Sequence, residues 1–181
     1  MELKLKNVRL SFPDLFVARP FKAGDPPKYK ATFLLPKDSP QVKEIEAAIL
    51  AVAKEKWPKD HAKVLASVRG NANRFCFQDG DTKTYDGYDG MMAFSASNKA
   101  RPTVIDRDRE PLNQEDGKPY AGCYVNAIVD IFAYDNSGNG ISASLGGVQF
   151  VKDGEAFAGG RPAAADAFDD LGVDEEEEAF V

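Results

Sequence analysis

Histidine is almost missing from this chain and cysteine is scarce: His61, Cys76 and Cys123 are all that it has. Three such residues, far apart, do not supply the four closely spaced ligands of a structural zinc site, so each is expected to be a packing or surface residue. The single histidine follows Trp57, Pro58, Lys59 and Asp60 in a short polar stretch. No serine or cysteine therefore has an evident base for nucleophilic catalysis. No GxxxxGK and no GxGxxG after a strand offers a phosphate cradle. No apolar run approaches the roughly 18 residues of a membrane span. The opening MELKLKNVRL alternates charge with apolar residues where a secretion signal needs an unbroken apolar stretch. These absences together lead us to expect a cytoplasmic protein with reduced thiols, no cofactor, no metal and no membrane partner.

Basic residues are absent beyond Arg161, and from Asp166 onward eight Asp and Glu follow. Residues 1–165 thus hold 21 acids against all 23 bases, a body of +2 beside a tail of −8. Such asymmetry marks an interaction tail and a charged partner, nucleic acid being the commonest. A chain of 181 residues with 43% hydrophobic and 10% aromatic content suits one domain with a real core. That domain is expected over 1–157. Residues 158–181 start with a Gly/Ala-rich linker and end in the acidic DEEEEAFV, with too few core-forming residues to fold alone, so a disordered tail is expected.

The body reads mostly as strand. In KYKATFLL, Tyr29, Ala31, Phe33 and Leu35 alternate with Lys28, Lys30 and Thr32. The opening segment does the same until Asn7, where the phase slips by one, as at a bulge, and Val8, Leu10 and Phe12 are expected to continue the apolar face. The polar faces carry Lys4, Lys6, Arg9, Lys28 and Lys30, a basic stripe if the two strands pair. One helix is clear: Ser39 as N-cap, Pro40 in first position, then Val42, Ile45, Ile49, Val52 and Trp57 up to Pro58. Further strands are expected over 73–78, 91–97, 103–106, 124–134 and 141–151, separated by Asp-Gly and Asn-Gly turns. Gly146 and Gly147 inside a strand pattern mark a bend or bulge. About seven strands and one α-helix make a mainly β fold, a small antiparallel barrel. In YVNAIVDIFAY the small aliphatics at 125, 127, 129, 131 and 133 suit a barrel interior. Tyr124, Phe132 and Tyr134 face outward, either as a platform for bases or under the helix and loops.

Two clusters remain. In QDGDTKTYDGYDG the residues Asp79, Asp81, Asp86 and Asp89 start like a calcium loop. Lys83 stands where a third oxygen ligand belongs, and Gly90 where the closing Glu belongs. Ordinary turn chemistry is the simpler reading. A metal-dependent nuclease using these acids with Asp106 or Asp108 is the rival, and an acidic mimic of DNA is a third. Tyr85 and Tyr88 stand in the same loop beside glycines, away from any strand core, and Asn98, Lys99, Arg101, Arg107 and Arg109 follow. Aromatics with cations on loops and strand rims are what single-stranded nucleic acid needs: a flat apolar partner for each base and positive charge along the phosphates. Lys4, Lys6, Lys28, Lys30, Arg74, Tyr85, Tyr88, Lys99 and Arg101 are the candidate contacts.

The succession FCFQDGD (75–81), YDGYDG (85–90), FSASNKARPTVIDRD (94–108), YAGCYVNAIVDIFAYDN (120–136) and GISASLGGVQFVKDGEAF (140–157), with an acidic end that carries an aromatic, resembles a tailed-phage protein family. Its members are single-stranded DNA-binding proteins on an OB-fold, long catalogued as a domain of unknown function. The resemblance implies an OB-fold-like barrel and a non-enzymatic role in phage DNA replication or recombination in the host cytoplasm. It also implies a homodimer or small oligomer. Asp174, Glu175, Glu176, Glu177, Glu178 and Phe180 would then recruit replisome proteins (polymerase, helicase or nuclease), and the poly-Glu run would mimic phosphates over the basic groove. Two features depart from the family pattern. The helix follows the second strand and not the third, and Val181 follows the terminal aromatic.

Overall fold

The computed structural model describes residues 1–157, 165 and 168–172. The tail residues Asp174 to Phe180 lie outside the described residues. Among those described, seven strands and two α-helices follow one another: β1 (Glu2–Arg19), β2 (Lys28–Pro36), α1 (Pro40–Lys56), α2 (His61–Val68), β3 (Phe77–Asp79), β4 (Met91–Asn98), β5 (Thr103–Ile105), β6 (Tyr124–Tyr134) and β7 (Gly140–Lys152). No helix among them is long and apolar enough to cross a membrane.

The long β1 is shared between two neighbours. Its second half pairs antiparallel with β2, from Arg9↔Leu34 to Arg19↔Lys28. Its first half pairs with β6, from Glu2↔Asp130 to Arg9↔Tyr124. Antiparallel β2–β4 and β6–β7 ladders extend the sheet, and a parallel pairing at Ser97↔Ser144 joins β4 to β7. The five strands close in the order β1-β2-β4-β7-β6, the Greek-key barrel of an OB-fold. β3 and β5 are additions on the outer edges of β4 and β7.

Alternation fills the interior as the sequence requires: Leu5, Phe33, Phe94, Val125, Val129, Ile131, Ile141 and Leu145 all point inward and are buried. Ile45 and Ile49 of α1 join the same core. Ser39 caps that helix, its hydroxyl accepting the Gln41 amide at 3.3 Å. The Gln41 side chain then exchanges both its hydrogen bonds with the backbone of Lys6, at 2.7 and 2.8 Å. That stitch sits at the expected bulge, where Asn7 adopts φ 53° and the register shifts between Leu5 and Val8. Gly146 is the extra residue of a second bulge, since Ile128 pairs with Gly147 and Val129 with Leu145.

Four expectations need correction. A second helix, α2, begins at His61, where only a short polar stretch is expected. Only Leu65 and Val68 of its eight residues are buried, and Asp60 makes no side-chain cap bond, so the sequence carries little helical signal. The strand expected over 73–78 is β3 alone; upstream of it, Phe75 and Cys76 bridge to Ile141 of β7 and to Ser95 of β4, filling the gap between those strands. Phe12 does not continue the core face. Its φ of 45° and a register shift between Ser11 and Asp14 turn it outward, and Leu15 takes the inner position. The basic stripe is divided: Lys4 and Lys6 lie on the half of β1 that pairs with β6, while Lys28 and Lys30 of β2 lie opposite Arg19 and Asp14 at the far end of β1. Eight residues at about 3.3 Å each separate Lys4 from Phe12.

A smaller core lies on the outer face, where Leu34 and Ala93 are covered by Tyr88, Ala121 and Phe157. Phe157 packs against Gly87, leaving no room there for a Cβ. The backbone that leaves β7 is thereby fixed to the back of the tyrosine loop, with the Phe157 amide donating to the Ala121 carbonyl at 3.1 Å.

Candidate nucleic-acid interface

Beyond that small core the outer face of β2 and β4 opens into a cleft of about 830 Å³. Its floor is small and polar, made by Thr32, Ser95 and Ser97 with Ser142 of β7 beyond them. Its wall is aromatic. Phe12 and Tyr85 stand 39% and 51% exposed and meet edge to face with centroids 4.8 Å apart. Phe21, 76% exposed in the connection between β1 and β2, forms part of the rim with the Lys30 ammonium 5.5 Å from its ring.

Tyr88 is not the exposed ring the loop composition suggested. At 3% exposure it belongs to the small core, and its hydroxyl donates to Ser11 Oγ at 3.0 Å. Burial raises its pKa above the ordinary 10.0. It supports Tyr85 from behind, 5.2 Å away between centroids.

The loop that carries both tyrosines is tied at its ends. Lys37 Nζ reaches Asp79 Oδ1 at 2.9 Å and Asp81 Oδ2 at 2.5 Å, while Asp81 Oδ1 accepts the Gly90 amide at 2.7 Å. The hydrogen bond from Lys37 is the main cause that lowers the Asp79 pKa; the Gly90 amide, followed by Lys37, lowers that of Asp81. Asp79 and then Asp81 raise that of Lys37. Two of the aspartates that a nuclease reading would use thus hold an ammonium. Asp106 accepts the amides of Asp108 and Glu110 at 2.8 and 2.9 Å and so shapes a turn. Among the described residues no three Asp, Glu, His or Cys side chains form a metal-ligand group.

The clamp has a defined pH window. Carboxylates with depressed pKa hold it above the ordinary 3.8 and release it as pH falls through their lower folded values. Lys37, raised above 10.5, keeps its charge beyond that point. The Gly90 amide proton shift is expected to be flat between pH 10.5 and 3.8, to move below that range as the aspartates protonate and above it as Lys37 loses its proton, and Lys37→Met to move it at neutral pH. NMR titration of both proteins checks this.

The cations are distributed unevenly. Lys28 is exposed, Lys30 lies 3.7 Å from Asp14, and Lys83, marked in the sequence only as the break in the calcium-loop pattern, lines the cleft. Lys99 and Arg101 follow the end of β4, and the Arg101 guanidinium sits 5.7 Å from the Phe16 ring. Arg74 donates to the Ser137 and Asn136 carbonyls at 2.7 and 3.5 Å, pinning the β6–β7 turn. Lys4 and Lys6 are exposed but remote from the cleft, for the register reason given above. Of the outward aromatics on β6, Tyr124 is flanked by Arg9 and Lys152, and Phe132 with Tyr134 forms a separate pair. Cys76 and Cys123 are packing residues whose thiols burial pushes up to about 12 and about 11.

Sequence reasoning missed Phe12 and Phe21. For Phe21 a signal existed, an aromatic inside the Gly/Pro loop FKAGDPPK, the same kind of sign that singled out Tyr85. For Phe12 the following Pro13 was the sign, because proline inside a strand marks a bulge.

Comparison with known proteins gives a consistent result. A family model described as Enterobacter phage Enc34, ssDNA-binding protein, matches residues 1–180. Protein p50 of Acyrthosiphon pisum secondary endosymbiont phage 1 is 53% identical over 180 residues, 98% of each chain. The solved single-stranded DNA-binding protein of bacteriophage Enc34 in complex with ssDNA superposes with a TM-score of 0.73 at 28% identity, covering 87% of this chain and 89% of that one. The single-stranded DNA-binding protein gp2.5 of bacteriophage T7 shares the fold, with a TM-score of 0.55 at 15% identity over 92% and 91% of the two chains.

Proposed function

Because the chain belongs to the phage single-stranded DNA-binding protein family represented by the Enterobacter phage Enc34 protein, we propose that the cleft over β2 and β4 holds single-stranded DNA in phage replication or recombination, without catalysis. The observation that carries this is the pair of exposed rings, Phe12 and Tyr85, beside cations in a cleft that Thr32, Ser95 and Ser97 also line. Unpaired bases stack on that wall. Phe21 is an additional ring at the rim, and Lys28, Lys30, Lys83, Lys99 and Arg101 meet the phosphates. The rings offer a π-face to any base, so binding is tolerant of sequence, while a duplex keeps its bases stacked inside and cannot use them. The reading extends to the acidic tail. There Asp174 to Glu178 oppose casual phosphate binding, and Phe180 anchors a polymerase, helicase or nuclease. A homodimer or small oligomer in the host cytoplasm belongs to the same proposal.

Phe12 supports the reading independently of the comparisons. An aromatic residue at φ 45° is sterically disfavoured, and such strain persists mainly where surrounding structure enforces it at functional sites. Fluorescence anisotropy with labelled oligothymidine, with and without magnesium, tests the proposal. With about four phosphate contacts, log affinity falls against log salt at a slope near −3, roughly a fifty-fold loss from 50 to 200 mM. A flat salt response removes the cleft from the reading, and cleavage products in magnesium favour the nuclease.

A further inference from the structure

The floor of the cleft differs in kind from its wall. Across it lie Thr32 and Ser95, their hydroxyls 3.3 Å apart, then Ser97, and Ser142 from the neighbouring strand. All four face the solvent side of the barrel, and none is fully buried. A row of hydroxyls offers neither a π-face for a base nor a charge for a phosphate. It offers short-range hydrogen bonds, one donor and two acceptor lone pairs on each oxygen, on a surface whose neighbouring lining residues Ala93 and Ala96 are small. When a base stacks on Phe12 and Tyr85, its sugar is the part left to pass over this floor.

Deoxyribose presents a bare C2′ methylene there, which leaves the serines hydrated at little cost because the cleft is open. Ribose presents a 2′-hydroxyl that is both donor and acceptor and can exchange hydrogen bonds with the same oxygens. A groove selective for DNA would instead close on C2′ with apolar atoms and leave an incoming hydroxyl unpaired. From this we infer that the cleft accepts single-stranded RNA as a second ligand, with Ser95, Ser97 and Ser142 contacting the ribose 2′-hydroxyl. The inference rests on the reading of the cleft as the nucleic-acid site.

The test compares oligo(dU) with oligo(U) of equal length, which differ only at the sugar, by anisotropy at fixed salt. The full chain is expected to bind oligo(U) at least as tightly as oligo(dU). The triple variant Ser95→Ala/Ser97→Ala/Ser142→Ala is expected to lose affinity for oligo(U) by about 2- to 10-fold for each hydrogen bond removed. Its oligo(dU) affinity should fall by less than its oligo(U) affinity, and a thermal melt shows that the variant is folded. Oligo(U) bound tenfold more weakly than oligo(dU) by the full chain overturns the inference alone. So does a triple variant that weakens both ligands equally, which would assign the hydroxyls to phosphates, or one that changes neither. Failure to bind either oligonucleotide removes the underlying reading together with the inference.

Discussion

Alanine at Tyr85 and alanine at Tyr88, three residues apart on one loop, are expected to fail in opposite ways. Tyr85 is half exposed and makes its contacts at the mouth of the cleft, so Tyr85→Ala leaves the thermal midpoint close to that of the parent. It removes about 1–3 kcal/mol of single-strand binding, up to a hundredfold in affinity. Phe12→Ala should act alike. Because the two rings touch, the double variant should lose less than the sum of the single losses. Tyr88→Ala instead empties a buried site shared with Leu34, Ala93, Ala121 and Phe157 and orphans the hydroxyl of Ser11, which is itself buried. Truncating a buried aromatic costs about 3–5 kcal/mol, a large part of the stability of a domain this size. Thermal melts and oligonucleotide titrations on the three variants check the separation. A Tyr85→Ala protein that binds normally would move the stacking platform to Phe132 and Tyr134, on the far side of the floor.

Removing residues 166–181 is expected to have the other large effect, and the charge requires no structure to derive: the protein passes from −6 to +2. In the proposed self-masking, a tether of this length would supply its carboxylates at about millimolar local concentration in competition with phosphates. The truncated body should bind single strands on the order of tenfold more tightly at low salt. It should also discriminate less well against duplex, because generic phosphate attraction is no longer opposed. Phe180→Ala keeps the charge, so DNA affinity should stay as it was while binding of the proposed replisome partner weakens. Titration of labelled single strand and duplex into the three proteins separates these effects, and equal affinities of full-length and truncated protein at low salt would sink the idea of self-masking.

What the sequence made legible is what depends on short-range pattern. The span Tyr124–Tyr134 and the helix Pro40–Lys56 were readable to the residue because each has an unbroken period and a cap or turn at its ends. The bulge at Asn7 was readable because a phase slip leaves a trace in the alternation. The site was harder because it depends on which elements meet. Lys4 and Lys30 look alike in sequence, yet β1 changes partners midway, and only Lys30 lines the cleft. Tyr85 and Tyr88 occupy the same kind of Gly-flanked position, and their opposite fates are decided by Phe157, some seventy residues downstream. α2 is a helix because Leu65 and Val68 find the core, which no local rule supplies.

The parallel seam between β4 and β7 also governs the order in which the protein can come into being. β1 waits for β6 before half of its hydrogen bonds are made, and β7, completed only at Lys152, is the strand that joins the two edges. A nascent chain on the ribosome has therefore synthesised Tyr85 long before it holds the frame that presents it. Even then the tyrosine loop lacks its backing until Phe157 emerges. Contacts so distant in sequence make for slow closure after release from the ribosome, by the same entropy that slows other non-local β topologies. The cleft consequently assembles late and all at once, so a half-made copy has the strands of the cleft without its frame.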